Sequence, residues 1–191
     1  MKRLLWMGFL MLTGSALFAQ TSPSTVLAVK TGTVLDYEVN VNGQLVPLTM
    51  KIFLPAEGGL GFDFEAGDVY GKFINSKEGL ESASSTNWET PPAGEEKKLG
   101  SDQTTAVFSR SFLKDLIQNK KAQYDGQSWT LKDVPAGSEF SLDNKSKLDF
   151  VYVESDSAAT KFWILNNKDY PIILKVEGNK KGPDLILKAI H

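Results

Sequence analysis

No cysteine occurs in the 191 residues, and there is a single histidine, His191. The first absence closes three routes at once: disulfides, a thiolate metal site, and the lipid-bearing cysteine that anchors a bacterial lipoprotein. Such a domain has to be held by its core, and a chain of roughly 150 residues buries about 70% of the surface its unfolded form exposes. The second absence removes the usual base for a nucleophilic serine or threonine, because His191 stands at the end of the sequence, where a catalytic group is expected to fray. Zinc and copper lack their preferred ligands for the same two reasons. The expectation is a protein that is not an enzyme and that carries no cofactor or metal.

Long apolar runs are scarce as well. The one that exists, Leu4 to Leu12, follows Lys2 and Arg3 and precedes Gly14, Ser15, Ala16 and Ala19, the order of a secretory signal peptide cut after Ala19. It falls short of the roughly 20 residues that span a bilayer. The division expected is therefore 1–19 as leader and 20–191 as one domain, released to the periplasm or the exterior without a transmembrane anchor. Charge of one sign is also lacking: the formal net charge is -2, and the lysines are interleaved with acids except at Lys97-Lys98, Lys120-Lys121 and Lys180-Lys181. A nucleic-acid binder normally shows a basic face or stripe, so no nucleic-acid partner is expected.

What is present is strand periodicity. Leu35, Tyr37, Val39 and Val41 alternate with polar residues up to Asn42-Gly43, and Leu48, Met50 and Ile52 alternate on the return; the Asn-Gly pair tolerates the positive φ of a tight hairpin. Leu60 to Glu65 and Val69 to Ile74 continue the meander, separated by Ala66-Gly67-Asp68. From 75 to 103 the periodicity stops in a polar stretch with Pro91-Pro92, which reads as a long loop and a candidate binding element. Phe112, Leu113, Leu116 and Ile117 form the stripe of one helix, capped by Ser109 or Ser111. Strands then recur at Trp129 to Val134, Leu148 to Glu154, Lys161 to Leu165, Ile172 to Glu177 and Asp184 to Ile190. The fold class expected is mainly β, a curved antiparallel sheet or half-barrel packed around one helix. Phe162-Trp163-Ile164-Leu165 is apolar on both faces, so both need cover: the helix on one, and sheet curvature, the long loop or a ligand on the other.

Motifs that carry chemistry are weak. Asp63, Glu65 and Asp68 offer oxygen ligands or an acid–base pair, but alternating acids on the wet face of a strand serve solubility equally well. The glycines at 58, 59, 61, 67 and 71 do not fit a phosphate loop, and Asn144-Lys145-Ser146 is a glycosylation tripeptide that matters only in a eukaryotic secretory route. Aromatic residues remain. Trp88 and Tyr170 sit in turn-rich segments near prolines, and Trp163 lies on the doubly apolar strand; these three are the candidate ligand-binding residues, since such rings join an apolar surface to a polar tip.

Leu35 to Gly43, Lys161 to Glu177 with its Trp-bearing strand and Tyr170-Pro171 turn, and Asp184 to Ile190 together resemble a family of exported bacterial proteins of unknown function. That family is similar in fold to the LolA-like lipoprotein carriers. The resemblance implies a strongly curved sheet around a helix with an apolar hollow between them, and it carries over no catalytic residue. The function expected is binding of an apolar small molecule, or of an exported protein partner, in the concave face of the sheet. The alternative is a structural or adaptor subunit of a surface assembly that uses the 75–103 loop.

Overall fold

The computed structural model describes Thr25 and residues 27–142, 146–157 and 159–191. The leader at 1–19 lies outside the described residues, as do Asn144 and Lys145 of the glycosylation tripeptide. The chain opens with a four-stranded meander: β1 (Val34–Val41), β2 (Gln44–Phe53), β3 (Leu60–Ala66) and β4 (Val69–Asn75). Next come α1 (Lys77–Ser82), β5 (Ser85–Thr86), β6 (Glu96–Lys98), β7 (Gln103–Thr104) and α2 (Arg110–Asn119). The second half holds β8 (Lys121–Tyr124), β9 (Gln127–Lys132), β10 (Ser141–Leu142), β11 (Ser146–Lys147), β12 (Phe150–Ser155), β13 (Lys161–Leu165), β14 (Ile173–Glu177) and β15 (Asp184–Ile190).

Eleven strands form one curved, non-closed sheet in the order β6-β4-β3-β2-β1-β15-β14-β13-β12-β9-β8. All neighbours are antiparallel except β4 and β6. Asn42 and Gly43, both at positive φ, close the first hairpin, as their type I′ preference requires. The two halves join where β15 lies against β1, with Leu35 opposite Ile190 and Val39 opposite Leu185. His191 extends that ladder instead of fraying: its amide and carbonyl both bond to Val34, and its Nε2 lies 3.0 Å from Asp36 Oδ2.

The curved antiparallel sheet is as expected; among the described residues it carries a second, shorter helix, α1, besides α2, and the 75–103 stretch holds α1, β5 and β6 between irregular segments. Ser76 caps α1 by accepting from the Gly79 amide at 3.0 Å, Leu80 and Leu99 are buried, and β6 pairs in parallel with β4, Lys72 opposite Glu96. The segment reads as loop because its backbone bonds go to distant strands, which leave no local period. In α2 the stripe is narrower than expected: Phe112, Leu113 and Leu116 are buried, whereas Ile117 is 43% exposed.

Ser109 caps α2, accepting from the Phe112 amide at 3.4 Å while its hydroxyl donates to the Ala83 carbonyl at 2.8 Å. Ser109→Ala removes both bonds and is expected to cost about 1–2 kcal/mol, read as a lower urea midpoint with an unchanged slope. Inward from this cap, the Phe108 ring lies 4.7 Å from Phe112, 5.0 Å from Tyr124 and 5.0 Å from Phe162. This aromatic cluster fills the space between α2 and strands β13 and β14. The outer face of the same strands is covered by the chain itself, through Leu27, Phe140 and Leu148 packed in one cluster with Tyr152 and Trp163.

Candidate functional site

A cavity of about 320 Å³ lies between the inner face of the first half of the sheet and the segment that follows α1. Its floor follows from the alternation of the strands. Tyr37, Val39 and Val41 of β1, Val46, Leu48 and Met50 of β2, and Phe64 and Ala66 of β3 all point inward, while Asp36, Glu38, Asp63 and Glu65 point out. Ile173 and Leu185 form the wall from β14 and β15, and Asn87, Trp88, Thr90, Thr105 and Ala106 form the roof. Floor residues on the inner face of a sheet pack only if something covers them, and here the roof does so incompletely.

Buried polar bonds fix the roof. The Asn87 amide donates to the Thr104 carbonyl at 2.7 Å, and the Thr105 hydroxyl donates to the Asn87 carbonyl at 2.9 Å. Asn75, fully buried, receives the Thr105 amide on Oδ1 at 2.7 Å and donates from Nδ2 to the Leu60 carbonyl at 3.0 Å. Lys97 Nζ holds the outer side through Asn87 Oδ1 at 2.9 Å and Glu89 Oε2 at 3.0 Å. The Trp88 indole lies against Gly182, where a Cβ would come within 2.6 Å of the ring. Glycine is what lets the β14–β15 hairpin approach it so closely.

The lining is apolar in character. Among the described residues that line it there is no carboxylate, amine or imidazole. Its one phenol, Tyr37, is pushed well above the ordinary range by burial, so it stays protonated, and its hydroxyl is committed to the Ile173 carbonyl at 2.8 Å. Tyr37 therefore presents ring carbon to the cavity. Asn87, Thr90 and Thr105 supply the few polar atoms on the roof side.

Of the three aromatic candidates, only Trp88 reaches this cavity. Trp163 alternates with Phe162 and Ile164 and so points to the outer face, its ring 4.7 Å from Tyr152 and 4.4 Å from Lys175 Nζ. Tyr170 sits in the turn before β14, where its amide donates to Asn167 Oδ1 and the Arg110 guanidinium lies 6.0 Å from its ring. Asp63 pairs with Lys72 at 3.1 Å on the outer face. No group of three or more His, Cys, Asp or Glu side chains is gathered to hold a metal among the described residues.

Sequence reasoning misses the floor as a site. Val39, Leu48 and Phe64 carry the alternation that marks them as inward-facing, but alternation reports a face and not whether that face is filled. The missing information is the height of the roof, which depends on Asn75 and Thr105. No protein-family model, curated protein or solved structure matches the chain.

Proposed function

We propose that the protein is a non-enzymatic exported binder of an apolar, lipid-like small molecule, held between the inner face of β1–β3 and the roof at Trp88. The single observation that carries this reading is the apolar cavity of about 320 Å³ left between two well-anchored walls. Its size falls at the lower end of the roughly 300–1,000 Å³ of small-molecule sites, which are mostly apolar with a few placed polar groups. A lining without ionisable acids or bases, apart from a protonated phenol bonded to backbone, supports binding over acid–base chemistry. The adaptor alternative needs a free 75–103 segment, yet that segment spends Leu80, Leu99 and Trp88 on packing. The LolA-like resemblance points the same way, toward a carrier with an apolar hollow.

Titration with a dansyl-labelled fatty acid tests the reading. The leader-free chain is expected to give a saturable rise and blue shift in dansyl emission. Leu48→Trp places an indole in the empty space of the cavity instead of in packed core, where it would strain its neighbours, and is expected to weaken binding at least about tenfold with an unchanged circular dichroism spectrum. Absence of saturable binding by the wild type, or equal binding by Leu48→Trp, would refute the assignment.

A further inference from the structure

We propose that the end of the sheet carrying the cavity mouth is a bilayer-contacting tip, through which the apolar ligand passes between membrane and cavity; this rests on the ligand-binding reading above. The tip is built by strand connectivity. The turns at 42–43, between β1 and β2, and 67–68, between β3 and β4, and the β14–β15 connection at 178–183 all lie at one end of the sheet. The β1–β2 hairpin reaches furthest. Pairing of β2 with β3 starts only at Thr49, and pairing of β1 with β15 stops at Asn40, so Val41 to Leu45 extends past both ladders, with Asn179, Gly182 and Pro183 of the β14–β15 connection flanking Val41 to Gly43. Pro47 opposes Glu38 in the stretch where β2 has no second neighbour, so its missing N–H leaves no ladder bond unmade.

Of the five large apolar side chains exposed among the described residues of the first half, four stand at this tip and the fifth, Leu54, at the opposite end. Leu45 is 66% exposed, Tyr70 54%, Val41 45% and Val69 44%. Val41 and Val69 face inward at the mouth and line the cavity. Leu45 and Tyr70, one residue out of phase in their strands, face outward. In the stretches 40–47 and 66–71 the only charged side chain is Asp68, and the neighbouring connection adds Lys180 and Lys181.

That two-sided arrangement selects the occupant. A folded partner or a second copy would cover one face of the hairpins and leave the other apolar side chains in water. Four side chains also fall well short of the roughly 800 Å² per partner of a stable protein interface. A fluid apolar medium wets both faces of a protruding hairpin at once, and the acyl boundary of a bilayer is such a medium. It is also where a sparingly soluble ligand resides, so the mouth opens where the ligand is.

Vesicle flotation tests the assignment, with the leader-free chain mixed with vesicles of phosphatidylcholine alone and of phosphatidylcholine with phosphatidylglycerol. The wild type is expected to float with both. The double variant Leu45→Glu, Tyr70→Glu touches no residue of the cavity lining and is expected to lower the bound fraction at least about tenfold, with unchanged thermal unfolding and unchanged affinity for the dansyl fatty acid. Leu54→Glu, at an exposed position at the opposite end of the sheet, is expected to float as the wild type does. If Leu54→Glu loses as much as the tip variant, or if the wild type takes up the probe yet never floats, the tip has no bilayer role and the cavity reading stands alone. A wild type that floats in a tip-dependent way but never takes up the probe keeps the bilayer contact and removes the cavity reading.

Discussion

Phe162→Ala is expected to remove about 3–5 kcal/mol of folding stability, well above the loss expected of Ser109→Ala. Phe162 is 2% exposed and stands where three other aromatics converge: its ring lies 5.0 Å from Phe108, 5.0 Å from Trp129 and 6.4 Å from Trp88. Phe108 and Trp129 meet it edge-on, an arrangement worth about 0.5–1.5 kcal/mol per pair beyond the area buried. The neighbours cannot close the hole, since Phe108 is held by α2 and Trp129 by its own hydrogen bond, Nε1 to the Tyr124 carbonyl at 3.0 Å. Typical domains have only about 5–15 kcal/mol in total, so the variant should unfold at a much lower urea concentration. A loss under about 1 kcal/mol would mean that the cluster is not packed as described. Phe162→Leu retains most of the volume and is expected to recover more than half of the loss.

Asn75→Ala is expected to have an effect of similar rank. It leaves the Thr105 amide buried and unpaired, at about 1–3 kcal/mol, and removes the side-chain donor to the Leu60 carbonyl. The two groups belong to different layers, one to the sheet and one to the roof of the cavity, and Asn75 is the side chain that bonds to both. Local loosening should therefore exceed global loosening. Amide exchange at Thr105 and Asn87 is expected to accelerate more than exchange at Leu60 or Phe62. Uniform acceleration across sheet and roof would show that the roof has no separate opening. Asn75→Asp keeps the acceptor for Thr105 but loses the donor and buries a charge, so it is expected to be at least as damaging at neutral pH and milder in acid, where the carboxyl is protonated.

The first hairpin is legible in the sequence because everything that specifies it is local: alternation over eight residues, then a pair that accepts positive φ at 42 and 43. Strands β13 and β15 can be placed to the residue for a related reason, each being bounded by turn-forming sequence. Strand β8 leaves no such trace. Its inward positions are Ala122 and Tyr124 only, too few for a period to emerge. The roof segment is illegible for the opposite reason, since its order comes from long-range bonds such as Thr105 to Asn75. Trp163 is a reasonable candidate on a strand apolar on both faces; the second face is covered by Phe140, Leu148 and Leu27 of the same chain, residues that no local pattern connects to it.

The seam between β1 and β15 also dictates when the molecule can form. Asp36 and His191, 155 positions apart, meet across it, and β15 is the partner that both β1 and β14 require. The early meander therefore has an unpaired inner edge until every other strand has been made. Closing so long a loop is entropically costly, and sheets dominated by distant pairings fold in milliseconds to seconds. A chain emerging from a ribosome stays open along this seam until β15 is free, which exposes the raw edge of β1 to chaperones or to a wrong partner in the interval.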